Sequence, residues 1–261
     1  MRSLGDHPTR ELAAGAQMPV LGLGVWQMAE GTETEQAVTW ALEAGYRHID
    51  TASMYHNERS VGAALNRSAL PRDQVFVTTK LLPTHASAAR ELAKSLKRLN
   101  LDYVDLYLIH WPIPLLSTRY WRQLQSLQEQ GLTREIGVSN YSRGQLEALK
   151  QNGLKTPAVN QVQFSPFHFR RELLEYCDEH GIVLEAYSPL ERGRGLQDPT
   201  IMSVAERLQR TPAQVMLRWA LQHRTVVIPK SSRPERIRAN AQLFDFELGD
   251  SDMQLLDALS T

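Results

Sequence analysis

VFVTTKLLPTHASAARELAKSLKRLNLDYVDLYLIH, residues 75–110, contains one complete repeat of the pattern that decides the fold. Its ends, VFVTTK (75–80) and VDLYLIH (104–110), are short runs rich in β-branched and other apolar residues. Runs of that kind mark strands buried on both faces. Between them, SAARELAKSLKRLN spaces its apolar residues at a helical period and stops at Asn100, where a left-handed C-cap is wanted. A strand, a helix and a second strand in that order make a parallel pair covered by its crossover. Each strand also closes on a polar residue, Lys80 and His110.

The same unit recurs in both directions. PVLGLG (19–24) and RHIDTA (47–52) precede it; REIGVSN (134–140), AVNQVQF (158–164), IVLEAYS (182–188) and TVVIPKS (225–231) follow. TEQAVTWALEAG and RRELLEYCDEHG are two more of the intervening helices, each ending on Gly. Eight units without a break in composition favour a closed barrel over an open doubly wound sheet. In LGLGVW, Gly22 and Gly24 lack the third glycine of G-x-G-x-x-G, so the dinucleotide fingerprint of the open sheet is absent. DPTIMSVAERLQR and SDMQLLDALS exceed the eightfold pattern and read as two additional helices.

The 261-residue chain has the size of one barrel, and 42% hydrophobic content supplies a sizeable core. Twenty-nine basic and 29 acidic residues cancel, so no global field points to nucleic acid or an anionic membrane. No apolar stretch approaches the ~18 residues of a membrane span, and MRSLGDHPTRELAAG lacks the apolar region of a secretory signal. The expected setting is cytoplasmic. Cys177, the single cysteine, reads as inert helix core.

Barrels of this kind gather their reacting groups where strands end. The ends here are Asp50 with Tyr55 in the following loop, Lys80, His110 with Trp111, Ser139 and Asn140, Gln161, Tyr187 and Lys230. Taken singly, a strand-end lysine is an ordinary solvated terminus and His110 an ordinary core histidine. Jointly, Asp, Tyr, Lys and His on neighbouring strands can reach one another. A phenol of pKa ~10 is a poor acid or base at neutral pH. A nearby ammonium stabilises its phenolate, and a carboxylate holds that ammonium in place. Asp50–Lys80–Tyr55 therefore reads as a tuned proton donor, with His110 orienting a carbonyl oxygen. No nucleophile–base pair or metal cluster stands out, since His48 and Asp50 lack convergent histidines. Tyr187 has a ring to stack on a flat heterocycle, and Ser139, Asn140 and Gln161 can donate and accept around a carboxamide. In IPKSSRPERIRAN, Ser232 is the expected N-cap with Pro234 in the first turn, placing a helix N-terminus, Lys230 and Arg236 around one anion.

With these residues in this order, the chain resembles the aldo-keto reductases over nearly its whole length. GYRHIDTASMYHNE is similar to the family's G-x-R-x-I-D-T-A-x-x-Y-x-N-E signature, LIHWP to its middle motif and IGVSNY to the next. VIPKSSRPERIRAN resembles I-P-K-S-x-x-x-x-R-I-x-x-N, with NQVQFSPF and EAYSPL in the expected order between. The resemblance implies a (β/α)8 TIM barrel with an N-terminal β-hairpin and two additional helices, residues 1–261 forming a single domain. It implies Asp50, Tyr55, Lys80 and His110 as catalytic tetrad for reversible reduction of aldehydes and ketones, with hydride from C4 of NADPH. Ser139, Asn140 and Gln161 would meet the nicotinamide carboxamide, and Tyr187 would stack on the ring. Ser188, Pro189 and Leu190 would line the pyrophosphate; Lys230, Ser231, Ser232 and Arg236 would hold the 2′-phosphate, with Asn240 near the adenine. Gly24, Val25, Trp26 and Asp50 would lie beside the nicotinamide. Trp26, Met54 and Trp111 would wall the substrate, faced by Tyr55 and His110.

Ala239 stands where many members carry a Glu toward the adenine amine, which leaves cofactor grip to the phosphate. The short WPIPLL loop and brief tail resemble the compact bacterial branch that includes diketogluconate reductases and small-aldehyde reductases. An open pocket with a broad carbonyl range is expected, with no nucleic acid, membrane or obligate protein partner. A nucleotide-sensing regulatory subunit on the same barrel, as in potassium-channel β subunits, is the alternative; the compact chain weighs against it. A lyase or isomerase using Lys80 as a Schiff-base amine is a third reading, opposed by the four-residue grouping and PKSS.

Overall fold

A computed structural model describes residues 8–83, 87–113 and 116–260. The opening MRSLGDH, two residues of the WPIPLL loop and the last residue of the tail lie outside the described residues. Strands β1 (Thr9–Glu11) and β2 (Gln17–Pro19) pair antiparallel, forming the expected hairpin. Glu135 Oε1 ties down its turn, accepting from Ala14 N at 2.8 Å. Eight parallel strands follow, each paired with the next: β3 (Leu23–Gly24), β4 (His48–Asp50), β5 (Phe76–Leu81), β6 (Val104–Ile109), β7 (Thr133–Ser139), β8 (Val159–Gln163), β9 (Val183–Tyr187) and β10 (Val226–Val227). First and last strands meet through a parallel bridge between Leu21 and Val227. Gly22 N donates to Val227 O at 2.9 Å and Gly24 N to Pro229 O at 3.2 Å across the same seam. The sheet is thereby a TIM barrel. Gly24 is required by this closure, because a Cβ there would stand 2.8 Å from Ile228 O.

Helices α1 (Thr32–Glu43), α2 (Glu58–Arg67), α3 (Ala88–Leu99), α4 (Ser117–Glu129), α5 (Arg143–Gln151) and α6 (Arg171–Glu179) cover the first six strands. After β9 come α7 (Pro199–Arg207) and the crossover α8 (Pro212–Gln222); after β10 come α9 (Pro234–Asn240) and α10 (Asp250–Asp257). The two added helices, α7 and α10, pack on each other and are linked by Arg207 and Asp252. The three anticipated helix stops are left-handed: Gly45 at φ 95°, Asn100 at φ 54° and Gly181 at φ 68°. One cap differs. Arg233, not Ser232, occupies the N-cap of α9, because Ser231 Oγ accepts from Arg233 N at 3.2 Å and shifts the turn by one residue. Cys177 is buried in α6, and burial pushes its thiol up to about 12.

The inside of the barrel is divided in two. Leu12 and Met18 from the hairpin segment pack with Phe76, Leu106, Leu108, Val159, Val183 and Val226 to fill the lower half with apolar side chains. Above them the inward positions turn polar, with His48, Asp50, Thr78, Lys80, Gln161 and Glu185 all buried. That polar upper half is the floor of the site.

Candidate active site

The register of β4 and β5 sets Asp50 opposite Thr78, with Lys80 one inward position further along. Lys80 Nζ donates to Asp50 Oδ1 at 2.6 Å, to Thr51 O at 2.9 Å and to Tyr55 Oη at 3.3 Å. All three ammonium protons are engaged, and the side chain is fully buried. Tyr55 ends a single 3-10 turn, Ser53–Tyr55, that starts just past β4. Ser53 Oγ donates to Lys80 O at 3.0 Å and fastens this turn to β5. His110 follows β6, its Nε2 at 3.5 Å from Tyr55 Oη and the two rings edge to face at 5.5 Å. The phenol hydroxyl thus sits between an ammonium and an imidazole.

Burial pulls the Lys80 amine down, but Asp50, Tyr55 and Glu185 reverse that and hold the ammonium above its ordinary range. Burial raises the Asp50 carboxyl, opposed by Lys80 and the Gln161 amide. Tyr55 departs from the expectation of a lowered phenol: burial pushes it above 10.0, Asp50 adds to the rise, and Lys80 only partly offsets it. The hydroxyl therefore keeps its proton at neutral pH. Burial first, then Lys80, press His110 down to about 3, so its imidazole is neutral. Its Nδ1 has no hydrogen-bond partner among the described residues.

Trp26, Met54 and Trp111 are the exposed aromatics and methionine around this centre. Trp111 stacks on His110 at 6.0 Å, and the Arg192 guanidinium lies 4.8 Å above the Trp26 ring. Asn57, which the sequence reading missed, fixes the loop that carries Trp26. Its Nδ2 donates to Val25 O at 2.9 Å and Met28 O at 3.2 Å, while Thr51 Oγ1 donates to its Oδ1 at 2.9 Å. Val25 N in turn donates to Asp50 O at 3.1 Å, so Gly24, Val25 and Trp26 begin directly beside Asp50.

Ser139, Asn140, Gln161 and Tyr187 form one bonded group. Tyr187 Oη donates to Asn140 Oδ1 at 3.0 Å, Asn140 Nδ2 to Ser139 Oγ at 3.0 Å, and Ser139 Oγ to Gln161 O at 2.8 Å. Gln161 Nε2 is engaged twice, by Asp50 Oδ2 and Glu185 Oε2, each at 2.8 Å. With both amide protons engaged, Gln161 has only Oε1 left to offer, as an acceptor. Ser188, at φ 49°, turns the chain out of β9 into the buried Pro189 and half-buried Leu190. Lys230 and Arg236 are exposed and make no ion pair among the described residues; Ser231 is buried, Ser232 half-buried, and Asn240 buried at the end of α9. Glu185 is the other missed residue, and the sequence presents His48 only as a metal ligand without partners. Inside LEAY Glu185 reads as an ordinary strand position, and only the closed barrel brings the two within 3.6 Å.

The profile of the Aldo/keto reductase family matches residues 20–261. An aldo-keto reductase of Mycolicibacterium vanbaalenii is 48% identical over 99% of this chain and 94% of that protein. The glyoxal reductase of Bacillus subtilis is 44% identical over 97% of this chain and 92% of its own length. Among solved structures, an aldo/keto reductase from Brucella melitensis superposes with a TM-score of 0.91 at 43% identity, covering 97% of this chain and 100% of that one. No described helix is long and apolar enough to cross a membrane. Among the described residues no group of three or more His, Cys, Asp or Glu is placed to hold a metal. The chain belongs to the aldo/keto reductase family.

Proposed function

From membership of this family of carbonyl-reducing oxidoreductases, we propose that the chain reduces aldehydes and ketones reversibly to alcohols with NADPH, using Tyr55 as proton donor. The observation that carries the reading is the Tyr55 hydroxyl held between Lys80 Nζ at 3.3 Å and His110 Nε2 at 3.5 Å.

The donor set fits a nicotinamide cofactor. Gln161 Oε1 is left as an acceptor suited to a carboxamide N–H, and the half-buried Tyr187 ring beside it offers a flat apolar face. Lys230 and Arg236, free of carboxylates among the described residues, suit a 2′-phosphate that NADH does not carry. When bound, NADPH supplies a hydride from its nicotinamide C4. The protein's part is the proton. A carbonyl oxygen at the mouth accepts hydrogen bonds from Tyr55 Oη and from neutral His110 in its Nε2–H tautomer. As negative charge grows on that oxygen, the phenol gives up its proton, and Lys80 stabilises the phenolate left behind. In the reverse direction the phenolate takes the alcohol proton. Asp50 keeps Lys80 charged and aimed. The exposed Trp26, Met54 and Trp111 leave the mouth wide and apolar, which favours a broad carbonyl range.

NADPH oxidation measured with an aromatic aldehyde, beside NADH and beside Tyr55→Phe, tests the reading. Turnover with NADPH that collapses in the variant is expected. No NADPH binding, or equal turnover by Tyr55→Phe, would overturn it.

A further inference from the structure

The hydrogen-bonded chain of the site continues beyond Asp50. Gln161 Nε2 has two protons, and the second goes to Glu185 Oε2 at 2.8 Å. Glu185 is the β9 residue registered opposite Gln161, and it is fully buried. Its other oxygen, Oε1, has no hydrogen-bond partner among the described residues and faces His48 Nε2 at 3.6 Å. His48 Nε2 is also 3.1 Å from Thr78 Oγ1. Burial holds His48 down to about 3, so it brings no positive charge.

Two buried carboxyls are therefore bridged by one amide, while the Lys80 ammonium pairs with only one of them. Asp50 has that ammonium at 2.6 Å and an amide N–H on its other oxygen. Glu185 has a single amide N–H and touches no cation among the described residues. Two buried anions beside a single cation are unfavourable, and the proton settles on the carboxyl with fewer donors. Oε1 faces the neutral His48 ring at 3.6 Å, which supplies no positive charge to hold an anion there. Burial, then Asp50, raise the Glu185 carboxyl to about 8, in agreement with this geometry.

We propose that Glu185 is a positioning residue of the reductase: held against Asp50 by Gln161, it carries a proton at neutral pH, and losing that proton slows carbonyl reduction. The inference rests on the proposed reductase reading. With Glu185 protonated, Asp50 and Lys80 cancel, and the ammonium is free to stabilise the Tyr55 phenolate formed as the substrate takes its proton. With Glu185 ionised, a second anion sits beside the same chain, and phenolate becomes harder to form. The groups acting on Glu185 are His48 and Asp50 from β4, Lys80 from β5, Tyr55 from the turn after β4, and Gln161 from β8. On its other side β10 sets only Val226 opposite it.

Glu185→Gln keeps an oxygen for Gln161 and removes the ionisation. The kcat for aldehyde reduction by the parental chain should fall above a transition near Glu185's value of about 8, by up to about tenfold per pH unit, the limit for one ionisation. In Glu185→Gln that fall should vanish, with neutral turnover kept at the same order. Glu185→Asp, which keeps a titrating carboxyl, should restore an alkaline fall. Independently of turnover, the infrared stretch of a protonated carboxyl should titrate in this range in the parental chain and be missing in Glu185→Gln. An unchanged pH profile in Glu185→Gln, or no titrating carboxyl in the parental chain, would overturn the role of Glu185 and leave the reductase reading standing. A parental chain that turns over no carbonyl would sink that reading and this inference with it.

Discussion

Tyr55 is placed where burial makes its phenol a weaker acid, and Lys80 limits rather than reverses that effect. Under the proposed mechanism the benefit is selective: the proton stays on the enzyme until a carbonyl oxygen gains charge beside it. Tyr55→Phe should therefore lower turnover by about 10²–10⁴-fold, the range for a positioned acid, while NADPH affinity by fluorescence stays within the same order. A loss shared equally between the two would mean that Tyr55 holds cofactor instead. Arg236→Ala should weaken NADPH by about ten- to a hundredfold, from the ~1.5–3 kcal/mol of a charge-assisted contact, and leave NADH unchanged. Equal weakening of both would remove Arg236 from the 2′-phosphate. Asp50, Tyr55, Lys80 and His110 were legible because each sits at or just past a strand end, where chain order alone predicts convergence. The rise of the Tyr55 phenol was not, because it depends on how completely the barrel excludes water. That Gln161 stands on the strand rim near Asp50 was legible, but not that both its amide protons are engaged by carboxyls from β4 and β9.

Between residues and barrel, the elements are held in position by a few close contacts. Gly62 on α2 faces the end of α3 so closely that a Cβ would stand 2.1 Å from Leu99 O. Alanine in a helix normally gains about 1 kcal/mol over glycine. Here backbone must move to admit it, and overpacking costs about 1–3 kcal/mol. Gly62→Ala should therefore lower the urea midpoint; a raised midpoint would show that α2 can shift freely. Asn57→Ala would leave Val25 O and Met28 O without their buried donor, at about 1–3 kcal/mol. It should also raise KM for aldehydes, because the loop carrying Trp26 loses its clamp, and an unchanged KM would show that the loop is held otherwise. Strand order, the left-handed stops at Gly45, Asn100 and Gly181, and the two added helices were legible from periodicity and end residues. The N-cap of α9 was not. Ser232 reads as the cap in sequence, and only the bond from Arg233 N to Ser231 Oγ moves the cap on to Arg233.

The barrel as a whole unites three groups whose ionisation is displaced by the same enclosure. His48 and His110 are pressed from 6.5 to about 3, and Glu185 is lifted from 4.5 to about 8, burial being the first cause in each case. None of this follows from strands read one at a time, since His48 and Glu185 lie on β4 and β9, far apart in the sheet order, and meet across the barrel interior. The sign differs between the two kinds of group. Below pH 6.5 the unfolded chain takes up protons that the folded histidines refuse, so stability falls as pH drops from 6.5 toward about 3. Glu185 does the opposite: folded, it keeps a proton that the unfolded chain releases above 4.5, so its contribution is lost as pH rises through about 8. Among these three the histidines outweigh Glu185 from 4.5 to 6.5, and Glu185 acts alone from 6.5 to about 8. Urea unfolding should show the histidines as stability lost when pH falls below 6.5, and Glu185 as stability lost when pH rises toward about 8. In Glu185→Gln the acid side should be retained while the decline toward about 8 flattens. A decline that persists unchanged in that variant would place the alkaline loss on another group and leave Glu185 ionised in the folded barrel.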